Sequence, residues 1–276
     1  MILVTGATGN VGGELVRLLS GAGDEVRALT RGSRSSSLPT GVEGVAGDLD
    51  HPETMSSALT GVRGVFLMSG FQDMPGVLAE IRRAGVTHVV QLSGSSATAA
   101  DTSNAISRYM IASESAVQQS GVPWTILRPS GFMSNALQWA PQLRAGDVVR
   151  APFAGVRIAV VDPLDIAAVA AQALRSDGHE SRIYRLSGPE SLLPADRLRT
   201  LSAVLDRELR FEGQADAEAR TEMSSSMPTE YVDAFFSFYV DGTLDESAVL
   251  PTVEEVTGRP ARTFEQWARA HAEAFR

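Results

Sequence analysis

The chain has 276 residues, 24 basic against 33 acidic, and a formal net charge of −9. That length suits one extended α/β unit with a smaller appended lobe, and the acidic balance argues against direct contact with nucleic-acid phosphates. Cysteine is absent, which removes disulfides, thiolate metal sites and a thiol nucleophile; redox chemistry here requires a bound cofactor. No apolar run approaches the roughly 18 residues of a membrane span. The opening Met1-Ile2-Leu3-Val4 carries no secretory signal pattern, so the expected location is the cytoplasm.

In chain order, residues 1–127 alternate short apolar runs with amphipathic stretches, the signature of βαβ units on a parallel sheet. Strands are expected at 2–5, 25–30, 42–46, 64–68, 88–92 and 124–127. Val11, Leu15, Leu18, Leu19 and Ala22 space one helix face, closed by Gly21 and Gly23. Further helices fit 52–58, 75–84 and 106–120. Beyond Arg128 a strand is expected at 156–161, a helix at 165–174 N-capped by Asp165, and a strand at 183–186; both strands could extend the same sheet. From Pro189 the pattern is mainly helical, with 214–228 polar enough for a mobile loop and a final helix over 263–275. The expected division is a core of 1–127 completed by 156–187, with 128–155 and 188–276 forming a smaller substrate or partner lobe.

The most informative motif is Gly6-Ala7-Thr8-Gly9-Asn10-Val11-Gly12 between the first strand and the first helix. Gly6 permits the tight turn, Gly9 lets backbone approach a pyrophosphate, and Gly12 allows helix to pack closely on strand. The free amides of the helix start, with its dipole, make an anion site. The context is that of a Rossmann-type doubly wound parallel sheet binding a dinucleotide, and a purely structural turn is the competing reading. About 20 residues further on, where an NAD site carries Asp or Glu, the chain has Thr30-Arg31, with Ser33 and Arg34 beyond. A guanidinium pairs with a 2′-phosphate, so NADP(H) is expected in preference to NAD(H); solvated loop arginines are the alternative. Asp48 and Leu49 after the third strand could meet the adenine, although helix capping by Asp48 or Asp50 competes. Met68, Ser69 and Gly70, then Ser93 and Gly94, fall at strand carboxyl ends, where ligands sit in open sheets.

These motifs, together with Val26 to Arg31, Ser120 to Pro129, Val161 to Ala167, Leu186 to Glu190 and Val256 to Pro260, resemble the NmrA-like branch of the atypical short-chain dehydrogenases/reductases. The resemblance spans nearly the whole chain. It implies NAD(P) binding, with Pro129, Ser130, Gly131 and Phe132 at the nicotinamide end, in a family that includes quinone and dye reductases and NADP-binding regulators. Alcohol-oxidising relatives use a Tyr-x-x-x-Lys pair in the helix after the fifth strand; aligned on Glu114, this chain has Ile106 and Met110 at those positions. Tyr109 lacks a lysine four places on, so Tyr109 and Ser93 are weak acid candidates. The four histidines are scattered, with no metal spacing among them. Trp139, Phe132, Phe153, Phe235, Phe236 and Phe238 could line a flat apolar cleft. Two functions are carried forward. One is an NADPH-dependent oxidoreductase passing a hydride to a small flat acceptor such as a quinone. The other is an inactive NADP(H)-binding redox sensor acting through a protein partner, with a homodimer also considered.

Overall fold

The computed structural model describes residues 1–30, 38–99 and 101–276. Seven parallel strands form the main sheet: β1 (Ile2–Val4), β2 (Val26–Thr30), β3 (Glu43–Ala46), β4 (Gly64–Met68), β5 (His88–Leu92), β6 (Trp124–Pro129) and β8 (Arg182–Leu186), in the order β3-β2-β1-β4-β5-β6-β8. The first six strands follow a dinucleotide-binding order, with its reversal point beside β1. Every residue of β1 and β2 is buried, as expected of parallel strands covered on both faces.

One face carries α1 (Asn10–Gly21) and α5 (Pro163–Arg175), whose Val11, Leu15, Leu19, Ile166 and Val169 share a core with Ile2, Val4 and Phe66; Val253 of α9 (Thr252–Thr257) joins it. The other carries α2 (Met74–Arg83) and α3 (Ala105–Gln119), whose Val77, Leu78, Ile81 and Val117 pack with Leu3, Val65 and Val89. A third cluster joins Trp139 and Leu143 to Leu198, Leu201, Phe264 and Trp267. It ties α4 (Ala140–Ala145) to α6 (Pro194–Leu205) and α10 (Phe264–Ala270). Among the described residues no helix is long and apolar enough to cross a membrane.

Three expectations are corrected. The 156–161 segment forms no ladder and makes only the isolated bridges Ile158 to Leu192 and Phe132 to Val161. Ala159, Val160 and Val161 are buried as interlayer packing, and the backbone is satisfied by loops: the Ala159 amide donates to the Glu246 carbonyl, and Ser130 Oγ and the Gly188 amide donate to the Ala159 carbonyl. A parallel pair appears instead between the short strands β7 (Val148–Ala151) and β9 (Arg210–Gly213). Within 214–228, residues Asp216–Ser224 are helical (α7), held on α8 (Thr229–Tyr239) by Ala219 packing with Val232 and Phe236 and by the Arg220 to Asp233 ion pair. The last expected helix breaks at His271, leaving α10 and a 3₁₀ turn at Ala272–Phe275.

Asp165 is not the N-cap of α5. Asp162 caps it, accepting from the Leu164 amide at 2.9 Å and from the Arg262 guanidinium at 2.7 Å. Asp165, 1 % exposed, accepts instead from the Arg262 amide at 2.7 Å. Burial pushes its carboxyl up to about 6; the Arg262 amide opposes that shift and the neighbouring Asp162 adds to it. Between about pH 4 and pH 6 the folded state therefore holds a proton that the unfolded state has lost, so this group subtracts stability as pH rises through that window. Asp165→Asn keeps an acceptor for the Arg262 amide but cannot ionise. Its melting temperature is expected to exceed that of the parent at about pH 7.5 and to match it near pH 4. An equal gain at both pH values would contradict this account.

Candidate functional site

At the carboxyl edge of the sheet, Gly6 adopts φ +60°, and a Cβ there would overlap Met68 Sδ. A Cβ on Gly12 would overlap the Gly6 carbonyl, whereas one on Gly9 would meet only the Gly6 oxygen at 3.2 Å. Thr8, Gly9 and Asn10 are exposed, while Val11 is buried in the core and contributes only its backbone to the surface of the turn. No side chain caps α1, no acidic residue lies in its first turn, and the Asn10, Val11 and Gly12 amides have no acceptor among the described residues. This cradle fits a pyrophosphate: unpaired donors open on a surface where Gly9 places no Cβ in the way. A cavity of about 340 Å³ opens at the turn, lined by Thr8, Gly9, Asn10, Leu38, Ser134 and Leu137 among others.

The remaining sequence candidates separate into groups. Arg31 and Arg34 lie outside the described residues. Asp48 Oδ1 accepts from the Asp50 amide at 3.1 Å in a local turn, and neither aspartate caps the 3₁₀ turn Pro52–Met55. Leu49 is 6 % exposed and packs with Leu29 and Met55, which leaves little of it for an adenine ring. Met68, Ser69, Gly70 and Gly94 stand together at the strand ends; Ser69 Oγ donates to the Leu92 carbonyl at 2.8 Å, and the Gly70 amide, at φ +94°, donates to Ser113 Oγ at 3.1 Å. Pro129 is buried at the end of β6, and Phe132 packs against the α1–α5 core.

Ser93 is committed elsewhere. Its hydroxyl donates to Glu114 Oε1 at 2.5 Å, and Arg128 grips the same carboxylate through Nε at 2.9 Å and Nη2 at 2.5 Å. Tyr109 lies half-buried with its ring edge against Gly70, and burial, then Tyr231, raises its phenol above the ordinary range, making it a poorer acid. The chain contains no lysine at all, so no Tyr-Lys pair can be assembled from any part of it.

A second cavity of about 670 Å³ has Trp139, Phe153, Phe235 and Tyr239 in its walls, with Gln138, Arg150 and Arg197. Ser134 lines both cavities, and Asn10 Nδ2 donates to its Oγ at 3.1 Å, so the second cavity adjoins the phosphate turn. The expected aromatic cleft is thus met in part: Phe236 and Phe238 are core residues. Phe153 stacks edge-on against Phe236 at 5.3 Å and tilted against Tyr239 at 5.1 Å. Sequence reasoning missed Tyr239, Glu246 and Arg197. Tyr239 donates to Glu246 Oε2 at 2.8 Å, and Ser95 Oγ donates to Oε1. Burial raises the Glu246 carboxyl, and burial with Glu246 raises the Tyr239 phenol beyond its ordinary range. The aromatic run ending at Tyr239 was the available signal, but nothing in it pointed to a carboxylate seven residues on.

A family model for NAD(P)H-binding proteins matches residues 6–177. The chain belongs to this NAD(P)H-binding family. It is 44 % identical over 279 residues to the (4-alkanoyl-5-oxo-2,5-dihydrofuran-3-yl)methyl phosphate reductase of Streptomyces griseus, covering 100 % of this chain and 99 % of that one. It is 38 % identical to the NAD(P)H azoreductase of Xenophilus azovorans, again over 100 % and 99 % of the two chains. The NADPH-dependent quinone oxidoreductase QOR2 of Escherichia coli, solved with NADPH, superposes with a TM-score of 0.81 at 22 % identity, covering 99 % of this family member and 100 % of that chain; this likeness shows the fold. The resemblance stated from the sequence is borne out as membership of an NAD(P)H-binding family, and an NmrA structure shares the fold at 17 % identity and a TM-score of 0.74.

Proposed function

We propose that the protein is an NADPH-dependent reductase that passes a hydride to a small, flat, conjugated acceptor. The observation that carries this reading is the aromatic-walled cavity of about 670 Å³ joined through Ser134 to the phosphate turn, which has room for a planar acceptor next to a dinucleotide. The two relatives act on such chemistry: one is an azoreductase and the other reduces a (4-alkanoyl-5-oxo-2,5-dihydrofuran-3-yl)methyl phosphate. When bound, the dinucleotide supplies a hydride from nicotinamide C4. The chain's own part is positional. Gly6, Gly9 and Gly12 with the Asn10, Val11 and Gly12 amides seat the pyrophosphate, Met68, Ser69, Gly70 and Gly94 border the dinucleotide at the strand ends, and Pro129 and Phe132 border the nicotinamide end. Residues 128–155 and 188–276 serve as the acceptor lobe on a core of 1–127 and 156–187. Phe153, Phe235 and Tyr239 hold the acceptor flat against the reacting face, and its conjugation spreads the incoming charge until water delivers the proton, so no Tyr-Lys acid is required.

The preference for NADP(H) rests on Arg31, with Arg34 beside it, in the place where an NAD site carries a carboxylate. The test follows cofactor absorbance with a panel of quinones, azo dyes and simple carbonyls. NADPH is expected to be oxidised by the first two classes and not the third, and to bind tighter than NADH by about ten- to a hundredfold, a ratio that collapses in Arg31→Ala. Tight NADPH binding without oxidation by any acceptor would overturn the reductase reading. A ratio unchanged in Arg31→Ala would overturn the cofactor preference alone.

A further inference from the structure

Arg197 projects from α6 into the wall of the aromatic cavity. It is 8 % exposed, its Nε is enclosed without a partner, and among the described residues the guanidinium has no ion pair and no hydrogen bond. It lies over the face of Trp139, with Cζ 5.4 Å from the ring centroid. Trp139 Nε1 is a second enclosed donor that lacks an acceptor, and it belongs to the same cavity.

The carboxylates around this cavity are all occupied. Glu246 receives Ser95 and Tyr239, Glu222 accepts from Gln214 at 2.6 Å, and Glu218 holds Arg150 at 2.8 Å through both oxygens. Asp196, next to Arg197 in sequence, turns outward to Arg157 and Arg199 and caps the start of α6. Burial brings the Arg197 guanidinium down only to about 10, so it stays charged at neutral pH. A cation withdrawn from water without a counter-ion is costly to hold. Among the described residues no carboxylate serves as its counter-ion.

We propose that Arg197 binds an oxyanion, a carboxylate or phosphate carried by the conjugated acceptor itself, so that the cavity selects anionic acceptors over neutral ones of the same shape. This rests on the reading of the cavity as the acceptor site. The guanidinium presents its terminal nitrogens as a planar fork suited to two oxygens at once, while the aromatic walls take the conjugated remainder.

The experiment titrates methyl red, an azo dye with one carboxylate, and its uncharged methyl ester into the NADP⁺-saturated protein by calorimetry. The carboxylate is expected to bind about ten- to a hundredfold tighter than the ester, in line with a charge-assisted hydrogen-bonded pair. Arg197→Met should erase that preference, Arg197→Lys should keep part of it, and inorganic phosphate should compete with methyl red in the parent but not in Arg197→Met. Because among the described residues the guanidinium has neither an ion pair nor a hydrogen bond, Arg197→Met should melt no lower than the parent; a substantially lower melting temperature would mark a structural arginine and overturn the assignment. Equal affinity for dye and ester, or a preference that survives Arg197→Met, would overturn it as well. NADPH oxidation with both dyes at equal affinity would sink this proposal and leave the reductase reading intact. An Arg197-dependent preference without NADPH oxidation would do the reverse.

Discussion

Gly9→Val is expected to weaken NADPH binding by at least about a hundredfold, the loss of two charge-assisted hydrogen bonds, while the protein melts close to the parent. Gly9 sits at φ −88° and ψ 178°, extended backbone open to any residue, and a Cβ there meets only the Gly6 oxygen at 3.2 Å. The fold can therefore take the valine with a shift of the Gly6 carbonyl by a few tenths of an ångström. The ligand cannot, because the branched side chain would stand over the Asn10, Val11 and Gly12 amides where phosphate oxygens must approach. Gly12→Val should behave differently. Its Cβ would overlap the Gly6 carbonyl, so α1 must lift from the strand, and both the melting temperature and NADPH affinity should fall. Titration calorimetry and thermal unfolding on the two variants check this contrast. A Gly9→Val protein that binds NADPH like the parent would remove the turn from the cofactor site.

Arg128→Met should be the most destabilising single change outside the apolar core. Glu114 is 3 % exposed and loses a two-pronged partner, leaving a buried carboxylate with Ser93 as its remaining donor. Breaking a buried pair in this way costs about 3–5 kcal/mol, which corresponds to a melting temperature lower by about 6–20 °C at this size. The double variant Arg128→Met with Glu114→Gln should recover part of that loss, since the stranded charge is removed along with its partner. The pair joins α3 to β6 and, through Ser93, to the end of β5, so the KM for NADPH should rise in the single variant as the strand end loosens. Thermal unfolding of the three variants is decisive: a single variant melting within about 1 °C of the parent would show that the network carries no stability.

Much of the core was legible because its signals are local. The alternation of apolar runs with amphipathic stretches placed six strands and α1, α2 and α3 within a residue or two, since a parallel strand must be apolar on both faces and a covering helix on one. The glycine turn was legible for the same reason, Gly6 and Gly12 answering steric demands set by the adjoining strand and by a residue six positions away. Where the reading failed, the determinants were distant. The 156–161 run has the composition of a strand, yet its backbone partners come from Gly131, Gly188, Leu192 and Glu246, and the apolar side chains answer interlayer packing rather than a ladder. Asp165 has the look of a cap, but Asp162 three residues earlier takes that place, and Arg262 explains why Asp165 is buried. The 214–228 segment is polar in composition, yet Asp216–Ser224 is helical because Ala219 finds Val232 and Phe236 in α8.

The sequence by itself determined the doubly wound sheet, the phosphate turn, the family and the absence of a Tyr-Lys acid, because each depends on residue type at short spacing. Only the tertiary structure decided which polar groups are spoken for. Ser93 is taken by Glu114, which Arg128 also holds, Glu246 by Ser95 and Tyr239, and Arg197 lies over Trp139 with no ion pair or hydrogen bond among the described residues. Whether a buried charge is satisfied depends on side chains that fold together from positions 7 to 151 residues apart, and no local pattern records that pairing.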